Sequence, residues 1–373
     1  MIYHPFQDCN VSALGLGCMR LPTVGDQIDT EAAAKMVEEA LAEGVNYFDT
    51  AWVYHGGTSE SVMGSLLSRY PRESYYLATK FPGFNNENME RAAEIFEEQL
   101  RRCQTDYFDF YLFHNLNEKN ADAYLSEKYG ILPYLLEQKK RGRIRHLGVS
   151  VHAKLETLVH FLDACNGAIE FCQIQLNWLD YDYQDAKAKV ALLNERGIPI
   201  WVMEPVRGGA LCKLAPKFEQ RLRGLAPERS MAEWGFRYLQ GIEGVTVTLS
   251  GMSNPEQLRE NMAIFSEKKP LTEAETAVLY EIAHEMTHGN TLPCTACRYC
   301  VDDCPQGLDI PYLISLYNAA SYTKGGYIAP EETDALAEEK RPSACIGCRA
   351  CEALCPQGIE ISKMMEDFTS RMK

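Results

Sequence analysis

The residues with the most distinctive chemistry are eight cysteines near the C-terminal end of the chain. They form two identical runs, each with three cysteines at intervals of three positions and a fourth that precedes a proline. The runs comprise Cys294, Cys297, Cys300 and Cys304, and Cys345, Cys348, Cys351 and Cys355. Three thiolates at this spacing can hold three corners of a cuboidal [4Fe–4S] cluster, and the fourth cysteine reaches a second cluster. The sequence therefore predicts two metal clusters rather than disulfides.

The fourth cysteine of each run is assigned to the cluster of the other run. The two predicted ligand sets are Cys294, Cys297, Cys300 and Cys355, and Cys345, Cys348, Cys351 and Cys304. Zinc is the alternative, because it also binds four cysteines, but zinc sites typically pair two C-x-x-C arms. The doubled run and the helical stretch 310–321 resemble the helical two-cluster ferredoxin domains, which favours iron. The other cysteines, at positions 9, 18, 103, 165, 172 and 212, are mostly predicted to be buried thiols.

Four polar residues in the N-terminal part of the chain lie at the carboxyl ends of predicted strands or just after them: Asp49, Tyr54, Lys80 and His114. The carboxyl ends of parallel barrel strands meet at one rim, where catalytic residues of barrel enzymes usually lie. Asp49 and Lys80 alone would fit a structural ion pair, whereas the four residues together favour an active site.

A barrel could place these four residues at one rim, and the sequence contains the strands and helices that a barrel requires. Eight short apolar runs have the character of strands that are buried on both faces. They span residues 14–19, 45–51, 75–81, 108–114, 144–151, 171–178, 198–204 and 245–250. Helical segments with a 3.6-residue period alternate with them, at residues 30–43, 87–103, 123–141, 155–164, 186–196 and 255–266. This alternation predicts an α/β fold, the (β/α)8 TIM barrel, with Thr30 capping the first helix and Gly44 ending it.

The chain is long enough for a second domain after the barrel. A helix is predicted from Thr272 to about residue 288, and residues 289–293 lead from it into the cysteine region. The predicted domains are therefore the barrel, residues 1–288, and a small, mainly α-helical ferredoxin-like domain with two [4Fe–4S] clusters, residues 289–373.

Asp49, Tyr54, Lys80 and His114 match, in order and spacing, the catalytic tetrad of the aldo/keto reductase family, which the chain resembles over residues 12–265. Further similar stretches are residues 14–17, 148–150, 173–177 and 253–261. The resemblance implies that the chain interconverts a small-molecule carbonyl and its alcohol. Tyr54 would act as the acid, and Lys80, held by Asp49, would favour its tyrosinate. His114 would orient the substrate oxygen or share the proton.

The family resemblance also implies a nicotinamide cofactor, NAD(P), at the rim of the barrel. It assigns Ser150, Gln173 and Asn177 to the nicotinamide amide, Gly208, Gly209 and Leu211 to the pyrophosphate, and Glu260 and Asn261 to the adenine. Two departures concern this cofactor. Where family members stack an aromatic ring on the nicotinamide, this chain has Met203, with Trp201 close by. Gly251 and Gln257 occupy positions that are commonly basic in the family, which argues against a preference for NADP.

The clusters have two possible roles, electron transfer and structural support, and the number of electrons that each group carries does not decide between them. A nicotinamide passes two electrons as a hydride, whereas a cluster passes one, so coupling the two normally needs a flavin or a radical-tolerant substrate. Two alternatives therefore remain: a reductase that depends on a flavin or on an external carrier such as ferredoxin, and a redox adaptor without catalysis.

The formal net charge of −15 argues against nucleic acid and anionic membranes as partners. The N-terminal residues lack the charged start and apolar core of a secretion signal, and no stretch is apolar enough to span a bilayer. These features, together with the predicted clusters, lead us to expect a cytoplasmic protein of an anaerobic organism.

Overall fold

A computed structural model describes residues 1–287, 292–322, 333 and 336–372. The chain divides into two compact units. The first comprises Met1–Val206 and Ala232–Thr272, and the second comprises Arg207–Met231 and the described part of Glu273–Lys373. The domain boundary predicted between residues 288 and 289 lies outside the described residues. No helix in the described ranges is long and apolar enough to cross a membrane.

The first unit contains a closed barrel of eight parallel strands, so the predicted fold class is confirmed. The strands are β1 (Leu14–Gly17), β2 (Tyr47–Asp49), β3 (Tyr76–Phe81), β4 (Phe108–Leu116), β5 (Ile144–Val151), β6 (Phe171–Gln175), β7 (Ile200–Met203) and β8 (Val245–Ser250). Each strand pairs with the next one in the chain, and β8 closes the barrel by pairing with β1. Because all eight strands are parallel, their carboxyl ends lie at one rim.

Helices follow the strands around the barrel. The longer ones in the first unit span Thr30–Ala42, Ser59–Leu67, Ala92–Cys103, Ile131–Lys140, Leu155–Ala164, Ala186–Glu195, Met231–Gln240 and Pro255–Ile264. Short helical segments occur at Arg72–Ser74, Asn86–Met89, Ala121–Leu125 and Asp180–Tyr183. The prediction that Thr30 caps the first helix is wrong, because the Asp29 carboxylate accepts the backbone N–H groups of Glu31 and Ala32. Gly44 follows the end of this helix with a φ of 88°, a conformation that glycine adopts without strain.

The interior of the barrel is apolar toward the N-terminal ends of its strands. A hairpin of Tyr3–Phe6 and Cys9–Ser12 precedes β1, and the sequence analysis did not predict it. Phe6 from this hairpin lies within the interior core, with its ring centroid 5.0 Å from that of Trp201. The hairpin therefore fills the N-terminal end of the barrel with aromatic and aliphatic side chains. A second, two-residue hairpin pairs Thr23–Val24 with Gln27–Ile28.

The second unit is mainly helical in its described part, as predicted. Its segments are Arg207–Cys212, Pro216–Leu225, Glu273–Thr287, Ile310–Tyr322, Glu338–Lys340, Pro342–Ala344, Ala350–Leu354 and Ile361–Arg371. Its core includes Leu313 and Ile314 from one helix and Met365 and Phe368 from another, all of them buried. This small core contains Cys300 and Cys351, and four other cysteines of the two runs pack against it: Cys294, Cys304, Cys345 and Cys355.

Candidate functional site

Strand alternation positions the polar residues at the carboxyl rim. Side chains two positions apart on a strand point to the same side, so the inward positions continue from the apolar core toward the rim. Tyr47 on β2 and Ala78 on β3 belong to the interior core, and the next inward residues are Asp49 and Lys80. On each of these two strands, the inward side chain therefore changes from an uncharged core residue to a charged one within two positions.

Lys80 is the centre of the site and is fully buried. Its ammonium group donates to Asp49 Oδ1 at 2.5 Å, to the Thr50 carbonyl at 2.8 Å and to Tyr54 Oη at 3.3 Å. These three bonds use all three protons of the ammonium group. Because Tyr54 Oη accepts from Lys80, the phenolic proton is left to be donated elsewhere.

His114 completes the predicted set of four residues. Its ring lies edge-on to Tyr54 with 6.0 Å between the centroids, and Phe84 lies edge-on to it at 5.4 Å. The Tyr124 hydroxyl donates to the His114 carbonyl at 2.7 Å, which fixes the end of β4. Burial lowers the pKa of His114 well below its usual value, and the positive charge of Lys80 acts in the same direction. The imidazole is therefore neutral at physiological pH.

Burial determines the protonation state of Tyr54. It raises the pKa of Tyr54 well above 10, and the Asp49 carboxylate acts in the same direction. Lys80 does not bring this pKa into the neutral range, because its charge is offset by the Asp49 carboxylate at 2.5 Å. Burial also raises the pKa of Asp49, while Lys80 opposes that shift. Tyr54 therefore carries its proton at neutral pH.

A buried polar network behind Lys80 was missed by the sequence analysis. Gln99 donates to the Lys80 carbonyl at 3.0 Å and to Glu60 Oε1 at 2.7 Å. Thr79 donates to the same oxygen at 2.6 Å, and Tyr111 donates to Gln99 Oε1 at 2.6 Å. The sequence contains one signal of this network, because the polar residue Gln99 occupies a position in the apolar stripe of the helix Ala92–Cys103. The network holds the backbone of β3 where Lys80 projects from it.

Two of the predicted cofactor residues offer hydrogen-bonding capacity inside the barrel. Ser150 on β5 pairs in register with Gln173 on β6, and both are buried. Ser150 Oγ accepts the Asn115 N–H at 2.8 Å, so its own proton can be donated. Gln173 Oε1 is buried without a hydrogen-bond partner among the described residues. A buried amide oxygen of this kind needs a donor, and a ligand can provide one.

Asn177 is used within its own loop. Its Nδ2 donates to Asp180 Oδ2 at 2.7 Å and to the Glu204 carbonyl at 3.0 Å. Its Oδ1 accepts the N–H groups of Leu179 and Asp180. Both donors and both acceptor positions are occupied, so the geometry gives Asn177 a structural part in the turn after β6.

The two candidates for a stacking side chain on β7 differ in position. Trp201 is fully buried in the interior core, with its ring 4.6 Å from that of Phe171 and 5.0 Å from that of Phe6. Met203 is the last residue of the strand and is partly exposed. Met203, and not Trp201, is therefore the side chain of β7 at the carboxyl rim.

The segment after β8 has its polar groups largely engaged. Gln257 Oε1 accepts the Ser253 N–H at 2.8 Å, and Arg259 donates to both carboxylate oxygens of Glu39, at 2.6 and 3.0 Å. The buried Asn261 donates to Ser250 Oγ at 3.0 Å, whereas Glu260 is exposed. The basic side chain of Arg259 is thus paired with a carboxylate.

The residues that were assigned to the pyrophosphate belong to the second compact unit. Gly208 and Gly209 have φ values of 63° and 94°, and Leu211 is buried. Only glycine adopts such conformations at low cost. Their contact with a pyrophosphate stays a prediction.

The two predicted cysteine sets line two separate cavities in the second unit. One cavity is lined by Cys294, Cys297, Cys300 and Cys355. The other cavity is lined by Cys304, Cys345, Cys348 and Cys351. In each case the fourth cysteine comes from the other run, which is the exchange that the spacing predicts.

The electrostatics of these cavities favour a bound cation. Burial and the neighbouring sulfurs of Cys294 and Cys355 raise the pKa of Cys297 to about 12. The pKa of Cys351 is raised to about 11 by burial and by nearby sulfurs and Glu352. Thiolates in these positions need positive charge beside them, and iron supplies it in an iron–sulfur cluster. The donor set therefore fits the implied clusters.

Comparison with known proteins agrees with both parts of the chain. Residues 13–284 match the model of the aldo/keto reductase family, and residues 293–360 match that of the 4Fe-4S dicluster domain. L-galactose dehydrogenase of Arabidopsis thaliana is 26% identical over 283 residues, which cover 70% of this chain and 86% of that protein. The NADH-specific methylglyoxal reductase of Escherichia coli is 23% identical, over 75% of this chain and 97% of that protein.

A solved structure shows the same relationship. An aldo-keto reductase from Bacillus halodurans, in its holo form, superimposes with a TM-score of 0.63 at 26% identity. The similarity covers 76% of this chain and 96% of that one.

Proposed function

The chain belongs to the aldo/keto reductase family and carries a 4Fe-4S domain, and on this premise we propose that it interconverts a carbonyl and an alcohol with NAD(P). The observation that carries the proposal is the hydrogen bond from Lys80 Nζ to Tyr54 Oη at 3.3 Å. It leaves the phenolic proton directed to a substrate oxygen, beside a cation that is itself held by Asp49.

Each residue has a defined part in the reduction. A nicotinamide held by Ser150 and Gln173 would supply a hydride to the carbonyl carbon, so that negative charge would develop on the carbonyl oxygen. Tyr54 donates its proton to that oxygen, and Lys80 stabilises the tyrosinate that is left. His114, which is neutral, donates a hydrogen bond that orients the oxygen. Alcohol oxidation uses the same groups in reverse.

Ser150 and Gln173 are the residues that we propose for the nicotinamide amide. The Ser150 hydroxyl can donate to the amide oxygen, and the Gln173 oxygen can accept from the amide nitrogen. NAD is the favoured dinucleotide, because the Arg259 side chain is paired with Glu39. A 2′-phosphate would have to displace that carboxylate.

The cysteine cavities are the proposed sites of two [4Fe–4S] clusters, with an external carrier such as ferredoxin as their electron partner. All four catalytic groups belong to the first unit. Because a hydride carries two electrons and a cluster carries one, we propose that the barrel completes its reaction without the clusters.

The test uses Tyr54→Phe, which removes only the proton donor. We expect the rate of NADH oxidation with small aldehydes, including methylglyoxal, to fall by about 10²- to 10⁴-fold, the usual contribution of a general acid. Binding of NADH, followed by its fluorescence, should be unchanged. Tyr70→Phe removes a phenol outside the site and serves as the matched control. An unchanged rate in Tyr54→Phe would contradict the proposal.

A further inference from the structure

A second cluster of metal-binding side chains lies at the N-terminal hairpin, among residues to which the reductase chemistry gives no part. Asp8, Cys9 and His146 place one carboxylate oxygen, one sulfur and one ring nitrogen close together. His146 Nε2 is 3.1 Å from Asp8 Oδ1 and 3.4 Å from Cys9 Sγ. The distance between Asp8 Oδ1 and Cys9 Sγ is 3.8 Å. The three atoms form a nearly equilateral triangle.

Glu170 orients the imidazole from its other side. Its Oε1 lies 3.4 Å from His146 Nδ1, a position that favours the tautomer with its proton on Nδ1, directed to this carboxylate. Glu170 is held by the Leu147 N–H at 2.8 Å, by the Gln7 amide at 2.6 Å and by an ion pair with Lys139. A histidine whose other ring nitrogen donates to a carboxylate is the common arrangement of a metal-binding histidine.

This orientation turns the lone pair of His146 Nε2 toward Asp8 and Cys9. A lone pair and a carboxylate oxygen at 3.1 Å repel each other unless a cation lies between them or a second proton sits on the ring. The nearby sulfur favours a thiophilic cation over a proton, because thiolate and imidazole are the preferred ligands of zinc.

The dimensions of the triangle agree with zinc. Tetrahedral Zn²⁺ with bonds of about 2.0 to 2.3 Å holds its ligand atoms about 3.3 to 3.6 Å apart. The observed separations are 3.1, 3.4 and 3.8 Å, so one lies within that range and the other two lie within about 0.2 Å of it. The Asp8 side chain is 77% exposed, which provides an entry path, whereas that of His146 is 4% exposed.

We propose that Asp8, Cys9 and His146 bind Zn²⁺, with a water molecule as the fourth ligand. The metal would join the turn of the hairpin to β5, because Asp8 and Cys9 belong to the hairpin and His146 to that strand. It would thereby fasten the segment that fills the N-terminal end of the barrel.

The test measures zinc in the complete, iron-loaded chain. Protein purified without oxygen is equilibrated with Zn²⁺, desalted and analysed for zinc by mass spectrometry. We expect about one zinc per chain, and X-ray absorption at the zinc edge should show one sulfur and three lighter ligands. Zinc with four sulfur ligands would instead belong to the cysteine cavities and would overturn the proposal, as would the absence of bound zinc.

Variants separate the site from the rest of the chain. Asp8→Asn should lose the zinc without disturbing the fold, because its side chain is exposed. The matched control is Asp122→Asn, since Asp122 is an exposed aspartate 3.5 Å from His160. Glu170→Gln should weaken zinc binding by about 10- to 100-fold, the usual effect of losing such a partner. Equal zinc content in Asp8→Asn and in the wild type would overturn the proposal.

Discussion

The proposed catalytic site of the barrel and the cysteine cavities differ in what completes them. In the barrel, the charge of Lys80 is offset by Asp49 and its protons are all donated to groups of the chain itself. In the second unit, each cavity brings sulfurs together, and the pKa values of Cys297 in one cavity and Cys351 in the other are raised by burial and by neighbouring sulfurs. The first site is complete in the folded chain, whereas the second needs iron.

This difference determines what each part of the chain tolerates. A site built from paired charges can form as the barrel folds, but losing one partner leaves an uncompensated charge. A site built from thiols couples metal binding to folding, because cysteines deprotonate as the metal binds. The barrel should therefore be sensitive to single charge changes, and the cysteine unit to loss of iron.

The largest expected effect concerns the exchange of ligands between the cysteine runs. Cys294 and Cys355 line the same cavity although they come from different runs. The double variant Cys294→Ala and Cys355→Ala should therefore lose one cluster, with about half of the iron and sulfide. Iron analysis and the electron paramagnetic resonance spectrum of the reduced protein measure this. If each run bound its own cluster, the double variant would remove one ligand from each cluster, and both clusters would be lost.

Lys80→Met tests whether the barrel site depends on its internal charge pair. We expect it to destabilise the barrel by about 3 to 5 kcal/mol, because the buried Asp49 loses its partner. Adding Asp49→Asn should recover much of this loss. Urea unfolding followed by the fluorescence of the buried Trp201 measures it, and Lys35→Met, at an exposed pair, is the control. Equal stability of Lys80→Met and the wild type would contradict the pairing.

The pH dependence of carbonyl reduction should be flat through the neutral range. The acid form of Tyr54 is present below its pKa, which burial raises well above 10. The neutral form of His114 is present above its pKa, which burial lowers well below 6.5. The rate should therefore fall only in strong alkali, as Tyr54 deprotonates, or in acid, as His114 is protonated. A pH–rate profile with a limb near pH 7 would refute these directions.

The smallest effect concerns the choice of dinucleotide. Glu39→Gln removes the carboxylate that holds Arg259, so the guanidinium becomes available to a 2′-phosphate. We expect kcat/KM with NADPH to rise a few-fold while that with NADH stays constant, in line with the modest strength of exposed ion pairs. Glu38→Gln, on the same helix, is the matched control. If the ratio of kcat/KM with NADPH to kcat/KM with NADH did not change, Arg259 would lie away from the 2′-phosphate.

Sequence patterns predicted the parts of the fold that repeat. The alternation of apolar runs and amphipathic segments predicted the barrel, and the bounds of the helix Leu155–Ala164 were predicted at both ends. Spacing alone indicated the cysteine sets that line the two cavities. The four predicted rim residues lie close together in the structure, because motif order and strand ends are local properties of a sequence.

Long-range features could not be predicted in the same way. The N-terminal hairpin fills the barrel through contacts such as that of Phe6 with Trp201, which are distant in sequence. The direction of the Tyr54 pKa depends on burial and on the pairing of Lys80, and neither is visible in a motif. Asn177 shows the same limit, because its bonds to Asp180 and Glu204 exist only in the folded turn.

The most direct measurement compares NADH-dependent carbonyl reduction and iron content in Tyr54→Phe and Cys345→Ala under anoxia. If the barrel site works on its own, Tyr54→Phe keeps its iron and loses at least about 100-fold in rate. Cys345→Ala loses one cluster but stays within about tenfold of the wild-type rate, since a tenfold change corresponds to only about 1.4 kcal/mol of barrier. The assignment of the chemistry to the barrel would be contradicted if Cys345→Ala lost its activity together with the cluster while Tyr54→Phe kept the wild-type rate.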